Sequence, residues 1–167
     1  IVATVMSNFG LEIALAKSDI QVHRCQVGDW HVREEMEKRG VCLGGEQSGH
    51  IIFSDFLPTG DGLATALLVM CMVAQSGQTL EELVADLSIF PQKLLNVPVK
   101  KKRDLATVPE FMSAVRKVEQ QLAGHGRVLV RYSGTESLLR IMVEGPEQST
   151  VDRLAEEIAV CAQERLV

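Results

Sequence analysis

No apolar run in the sequence reaches the roughly 20 residues that a membrane-spanning helix needs. The longest candidate, Leu63 to Ala74, is too short and reads as a buried helix. Positive charge is not in excess either: the formal net charge is -5, which excludes a non-specific electrostatic grip on nucleic acid. Cysteine is sparse, and Cys25, Cys42, Cys71 and Cys161 form no CxxC pair and have no histidine at zinc-site spacing. Their apolar neighbours lead us to expect reduced core thiols in a cytoplasmic protein. No signal-peptide pattern, internal repeat or low-complexity tract is present. Gly44 and Gly45 lack the spacing of a dinucleotide fingerprint. The chain starts Ile1-Val2-Ala3-Thr4, inside an apolar strand-like run, so more polypeptide is expected upstream.

What the sequence does contain is an ordinary globular balance: 167 residues, 46% hydrophobic and 23% charged. That length suits one ordinary domain or two small ones. The first half alternates strand-like and helix-like segments. Val2 to Met6 and Ile20 to Val27 read as strands, and Leu11, Ala14 and Leu15 fall at helical spacing. Val32 and Met36 lie on one face of a helix that Gly40 is placed to end. Val41 to Leu43 is a short strand running into the glycine-rich turn Gly44 to His50, and Ile51 to Phe53 resumes the apolar pattern. Thr59-Gly60-Asp61-Gly62 opens the apolar helix, with Thr59 or Asp61 as its cap rather than a metal ligand, because one carboxylate is too few to hold Mg²⁺.

After Leu87 to Phe90 the composition changes. Phe90 to Val99 looks extended, with Pro91 and Pro98 confining it to an edge or a loop. The basic run Lys100 to Arg103 reads as a solvated connector, or alternatively as a source of anion-attracting field. Thr79 with Glu82, and Thr107 with Glu110, both have the form of a capping box. Phe111, Val115, Val118 and Leu122 make one helix face. Arg127 to Tyr132 and Leu138 to Glu144 are strands, and a last helix carries Val151, Leu154, Ala155, Ile158 and Ala162. Strands alternating with helices favour an α/β layer structure.

Two loops carry chemistry. Gly45-Glu46-Gln47-Ser48-Gly49-His50 crowds a carboxylate, an amide, a hydroxyl and an imidazole onto a turn at the end of a strand, where ligands of α/β domains usually bind. Glu46 can accept hydrogen bonds from vicinal sugar hydroxyls, Ser48 can donate or accept, and His50 stands beside them. Arg131 to Arg140 suits an anion: Ser133 and Thr135 offer hydroxyls, Gly134 lets the backbone present its N–H groups, and Arg131 and Arg140 flank the turn with planar forks of donors. Taken alone, each stretch also fits an inert polar turn. His23, His31 and His125 are scattered and read as non-catalytic.

In this order, the two loops resemble those of the α-D-phosphohexomutases. GE-x-SG-[HN] is that family's sugar-recognition loop in its third domain, and R-x-SGTE-P-x-x-R is its phosphate loop in the fourth. The resemblance implies an incomplete three-layer α/β domain over residues 1–88, followed by a smaller α+β domain over residues 89–167. It assigns the sugar to Glu46, Ser48 and His50, and the phosphate to Arg131, Ser133, Gly134, Thr135 and Arg140. VMSNFGLE, GGEQSGHIIF and RIMVEG look closest to the branch that interconverts glucosamine 6-phosphate and glucosamine 1-phosphate, on the route to UDP-N-acetylglucosamine. Sister enzymes acting on glucose or mannose phosphates, and a non-catalytic phosphosugar-binding module, remain alternatives.

The family's phosphoserine and its DGDxDR magnesium loop have no counterpart in the sequence. The resemblance therefore implies a C-terminal portion with no catalytic or metal residues of its own. Its partners would be a phosphosugar and the missing N-terminal domains, which would bring Mg²⁺. Two departures stand out: Ser137 replaces the usual proline, and Trp30-His31 replaces a common Arg-Tyr pair.

Overall fold

The computed structural model describes residues 1–167, which divide into two units, Ile1–Ile89 and Phe90–Val167. In the first unit, β1 (Val2–Thr4) pairs in parallel with β2 (His23–Cys25) on one side and β3 (Leu43–Gly45) on the other; β4 (Ile51–Phe53) runs antiparallel to β3. The sheet order is β2-β1-β3-β4. Between the strands lie α1 (Phe9–Ala16) and α2 (Asp29–Arg39), and the unit ends with α3 (Gly62–Ser76) and α4 (Leu80–Leu83). Gly40, in the left-handed conformation that glycine adopts without steric cost, ends α2. Val32 and Met36 of α2 pack on Val2 and Ile52 to make a small core.

The strands are shorter than the apolar runs suggested, and β3 is displaced toward the turn. Gly44 lies within β3 because α2 packs directly on it: a Cβ there would sit 2.5 Å from the Met36 sulfur and 2.7 Å from a Val32 methyl. The apolar α3 is not buried as expected. It has no buried residue, and Leu63 is 79% and Leu67 58% exposed. Its sequence is apolar around its whole circumference, yet its main packing is against β4 and much of the rest is exposed. The cysteines are free as expected but are not core residues: Cys42 and Cys71 are exposed, and Cys25 and Cys161 are half-buried.

The second unit is a three-stranded antiparallel sheet in the order β5-β7-β6, formed by β5 (Gln92–Pro98), β6 (Arg127–Tyr132) and β7 (Leu138–Glu144). β5 is an edge strand, where proline costs no ladder bond on the open side. Helices α5 (Pro109–Leu122) and α6 (Gln148–Leu166) bury their apolar stripes against one another and against Leu139, Ile141 and Val143 of β7. Val108, not Thr107, is the N-cap of α5. Thr107 belongs to a 3-10 turn, Leu105–Thr107, and its hydroxyl donates to the Asp104 carbonyl at 2.6 Å, so the expected second capping box does not form. No helix is long and apolar enough to cross a membrane.

Candidate functional site

The turn after β3 is built from its own backbone. The Glu46 N–H donates to the His50 carbonyl at 2.9 Å, and the Gly49 N–H donates to the Glu46 carbonyl at 3.0 Å. Gly49 has φ +98, a conformation that disfavours any residue with a Cβ. This turn brings Glu46, Ser48 and His50 together. One Glu46 oxygen accepts the Gly28 N–H at the start of α2, at 2.7 Å. The other lies 3.4 Å from the Ser48 hydroxyl, which donates to it, and 3.6 Å from Nδ1 of His50. Ser48 Oγ and His50 Nδ1 are 3.1 Å apart.

The Glu46 side chain is only 10% exposed, whereas that of His50 is 61% exposed. One carboxylate oxygen is thus anchored by the backbone at the start of α2. The other oxygen, the hydroxyl and the imidazole form a polar group suited to neighbouring hydroxyls. Burial pushes the nearby Cys25 thiol up, and the charges of Glu35 and Glu46 push the same way. An adjoining cavity of about 420 Å³ touches Glu46 and Gln47, but its other walls include Val2, Leu11, Phe53 and Val69. Its walls are mainly apolar, with Ser7, Asn8 and Thr65 the other polar residues there, so the polar turn is the candidate site.

The second loop closes the β6–β7 hairpin in the other unit. The Ser133 N–H donates to the Leu138 carbonyl at 2.9 Å. Ser133 is buried; its hydroxyl accepts the Glu136 N–H at 3.3 Å and donates to the Glu136 carboxylate at 3.4 Å. The same carboxylate holds Nη2 of Arg140 at 3.0 Å. Nε of Arg140 is buried and has no acceptor.

Arg131 stands directly opposite Arg140 across the two strands, and Asn96 faces Arg140 from β5. Like charges directly opposite one another destabilise a sheet, and Glu136 offsets only part of this one. The N–H groups of Gly134 and Thr135 donate to no protein acceptor, and Thr135 is exposed at the tip. Arg131, Ser133, Gly134, Thr135 and Arg140 are therefore gathered at one end of the sheet.

Two partners escaped the sequence reading. One is Glu136, the counter-ion of Arg140. The other is Lys102, whose ammonium donates to the Ser133 carbonyl at 2.6 Å and to that of Gly134 at 3.4 Å. The basic run around Lys102 was the available signal, and it read mainly as a connector. No group of three or more His, Cys, Asp or Glu converges to hold a metal ion. The residues present do not fit Mg²⁺.

Two family models match the chain: phosphoglucomutase/phosphomannomutase alpha/beta/alpha domain III over residues 1–90, and the phosphoglucomutase/phosphomannomutase C-terminal domain over residues 94–160. A phosphoglucosamine mutase of Koribacter versatilis is 50% identical over 99% of the chain, and one of Solibacter usitatus is 50% identical over 95%. The chain spans 36% of the length of each. Among solved structures, Aspergillus fumigatus N-acetylphosphoglucosamine mutase in complex with GlcNAc-6P and magnesium superposes with a TM-score of 0.79 at 21% identity, over 97% of this chain and 41% of that one. At that identity the likeness speaks for the fold. The two domain matches and the half-identical relatives show that the chain belongs to the phosphoglucomutase/phosphomannomutase family, of which it carries domain III and the C-terminal domain.

Proposed function

We propose that this chain is the sugar- and phosphate-binding portion of a phosphoglucosamine mutase. The complete enzyme interconverts glucosamine 6-phosphate and glucosamine 1-phosphate through a bisphosphorylated sugar. One phosphoryl group enters and one leaves, so the net reaction is an isomerisation. Arg131, Arg140 and the Ser133 to Thr135 turn hold the phosphate that is not reacting, while Glu46, Ser48 and His50 hold sugar hydroxyls. Phosphoryl transfer depends mainly on positioning and charge stabilisation. The phosphoryl-carrying serine and Mg²⁺ belong, in this reading, to domains outside the chain; the chain alone is inactive, and the enzyme is cytoplasmic.

One observation carries the reading: hydrogen-bonding capacity is left open at the β6–β7 turn. Two opposed arginines, a buried Nε without an acceptor and two free peptide N–H groups meet there. A phosphate supplies several acceptor oxygens and the missing negative charge. The half-identical relatives, which are phosphoglucosamine mutases, support the amino sugar.

The test is an NMR titration of the chain with glucosamine 6-phosphate, glucose 6-phosphate and inorganic phosphate. Saturable shifts at residues 133–136 and 46–48, strongest for the amino sugar, are expected. Equal shifts for all three ligands, at the phosphate turn alone, would overturn the sugar assignment. Arg140→Ala should weaken phosphate-dependent binding roughly tenfold or more, as expected for a charge-assisted hydrogen bond; unchanged affinity would remove Arg140 from the site.

A further inference from the structure

The basic run Lys100 to Arg103 is carried to the phosphate turn by strand register. β5 pairs with β7 as far as Pro98 opposite Leu138, and the Val99 N–H then donates to the Ser137 carbonyl at 2.9 Å. The next residues therefore leave the sheet beside the 133–137 turn. Of them, Lys102 reaches in, and its ammonium donates to the Ser133 carbonyl at 2.6 Å and the Gly134 carbonyl at 3.4 Å.

These two contacts constrain more than two oxygens. In a trans peptide the C=O and the N–H of the same unit point in opposite directions, and the chain has no cis bond. The Ser133 carbonyl shares its peptide with the Gly134 N–H, and the Gly134 carbonyl shares its peptide with the Thr135 N–H. Drawing both carbonyls toward one ammonium turns both N–H groups toward the other side. Neither N–H has a protein acceptor. Successive N–H groups aimed the same way make an anion-binding concavity. Gly134 has open space where a Cβ would be, so nothing covers the backbone at this point.

We propose that Lys102 is a positioning residue of the phosphate site: by holding the Ser133 and Gly134 carbonyls from behind, it presents the Gly134 and Thr135 N–H groups to the ligand. This rests on the reading of the turn as a phosphate site. The assignment separates Lys102 from its neighbours Lys100 and Lys101, which carry the same charge and no hydrogen bond to the turn. It also implies that charge alone is not the point: the donor must reach both carbonyls.

The test is a ¹⁵N NMR titration of the whole chain with inorganic phosphate, following the amides of Gly134 and Thr135, for the unaltered protein and for Lys102→Met, Lys102→Arg, Lys100→Met and Lys101→Met. Lys102→Met is expected to weaken phosphate binding roughly tenfold, in line with the loss of a charge-assisted hydrogen bond. It should also shift the two amides in the absence of phosphate. Lys102→Arg restores most of the affinity, and the other two methionine variants change it less than about twofold, as solvent-exposed charges do.

Equal losses for all three methionine variants would show a general field and overturn the positioning role. So would a Lys102→Met variant that binds as well as the unaltered protein. If Lys102→Met does not fold, Lys102→Gln replaces it: affinity well below that of Lys102→Arg supports positioning, and affinity equal to that of the Lys100→Met control overturns it for want of any specific loss. An unaltered protein with no saturable shift at the turn would instead remove the phosphate reading itself, and the proposal with it.

Discussion

Gly10 shows how a single atom reverses a local preference. It lies inside α1, where replacing glycine by alanine ordinarily stabilises a helix by about 1 kcal/mol. Here an added Cβ would sit 1.9 Å from the Ser88 carbonyl oxygen, an atom of the backbone that cannot swing aside. Overpacking of that kind costs typically 1–3 kcal/mol, occasionally more, so the clash outweighs the propensity. Gly10→Ala is expected to lower the urea midpoint of the first unit; a raised midpoint would show that the Ser88 segment yields. The same scale explains which site residues the sequence revealed. Glu46, Ser48 and His50 lie within five residues, and Arg131 to Arg140 within ten, so each loop is legible as a contiguous string. Lys102 lies 31 residues from Ser133, and no local pattern connects them.

Among the elements, α3 is apolar all round and α5 only along one face, yet α5 carries the greater energetic weight. Phe111 on α5 is fully buried, and Phe111→Ala is expected to cost about 3–5 kcal/mol through lost burial and the cavity left behind. Leu67 on α3 is 58% exposed, and Leu67→Ala is expected to stay within about 0.5 kcal/mol, as surface changes do. Thermal denaturation of the two variants checks the contrast; equal losses would show that α3 is packed in solution. The capping boxes diverge in the same way. Thr79 and Glu82 satisfy one another: the Thr79 N–H donates to the Glu82 carboxylate at 2.7 Å and the Glu82 N–H to the Thr79 hydroxyl at 3.2 Å.

These bonds from Thr79 hold the Glu82 carboxyl below its ordinary value of 4.5. A depressed carboxyl contributes stability that is fully present above the unfolded value and lost as pH falls through the folded one. Protection of the Thr79 amide from hydrogen exchange should therefore be constant above about pH 5 and fall as the solution is acidified below 4.5. Protection independent of pH down to 3 would mean that the carboxylate is not the lock.

At the scale of the molecule, the two units have unequal cores. Seventeen buried side chains, all from Phe90–Val167, make one core, and four from Ile1–Ile89 make the other. Because burial of apolar area is the main favourable contribution to folding, the second unit should outlast the first. Heating should melt β1–β4 before β5–β7, read by methyl NMR at Met36 and Ile141. Residues 90–167 alone should fold cooperatively, and a single coincident transition would show instead that the units unfold as one.

What the sequence determined by itself was the identity of the elements and the contents of both loops, because periodicity and turn chemistry act between near neighbours. The Phe111, Val115, Val118, Leu122 stripe and the span Arg127 to Tyr132 appear in the structure as read. Tertiary structure alone decided three things: which apolar helix face is buried, that Gly28 anchors Glu46, and that Lys102 reaches the 133–137 turn. Each depends on a pairing between distant segments, set by strand register and helix packing, and a linear pattern does not encode which neighbour a face will meet.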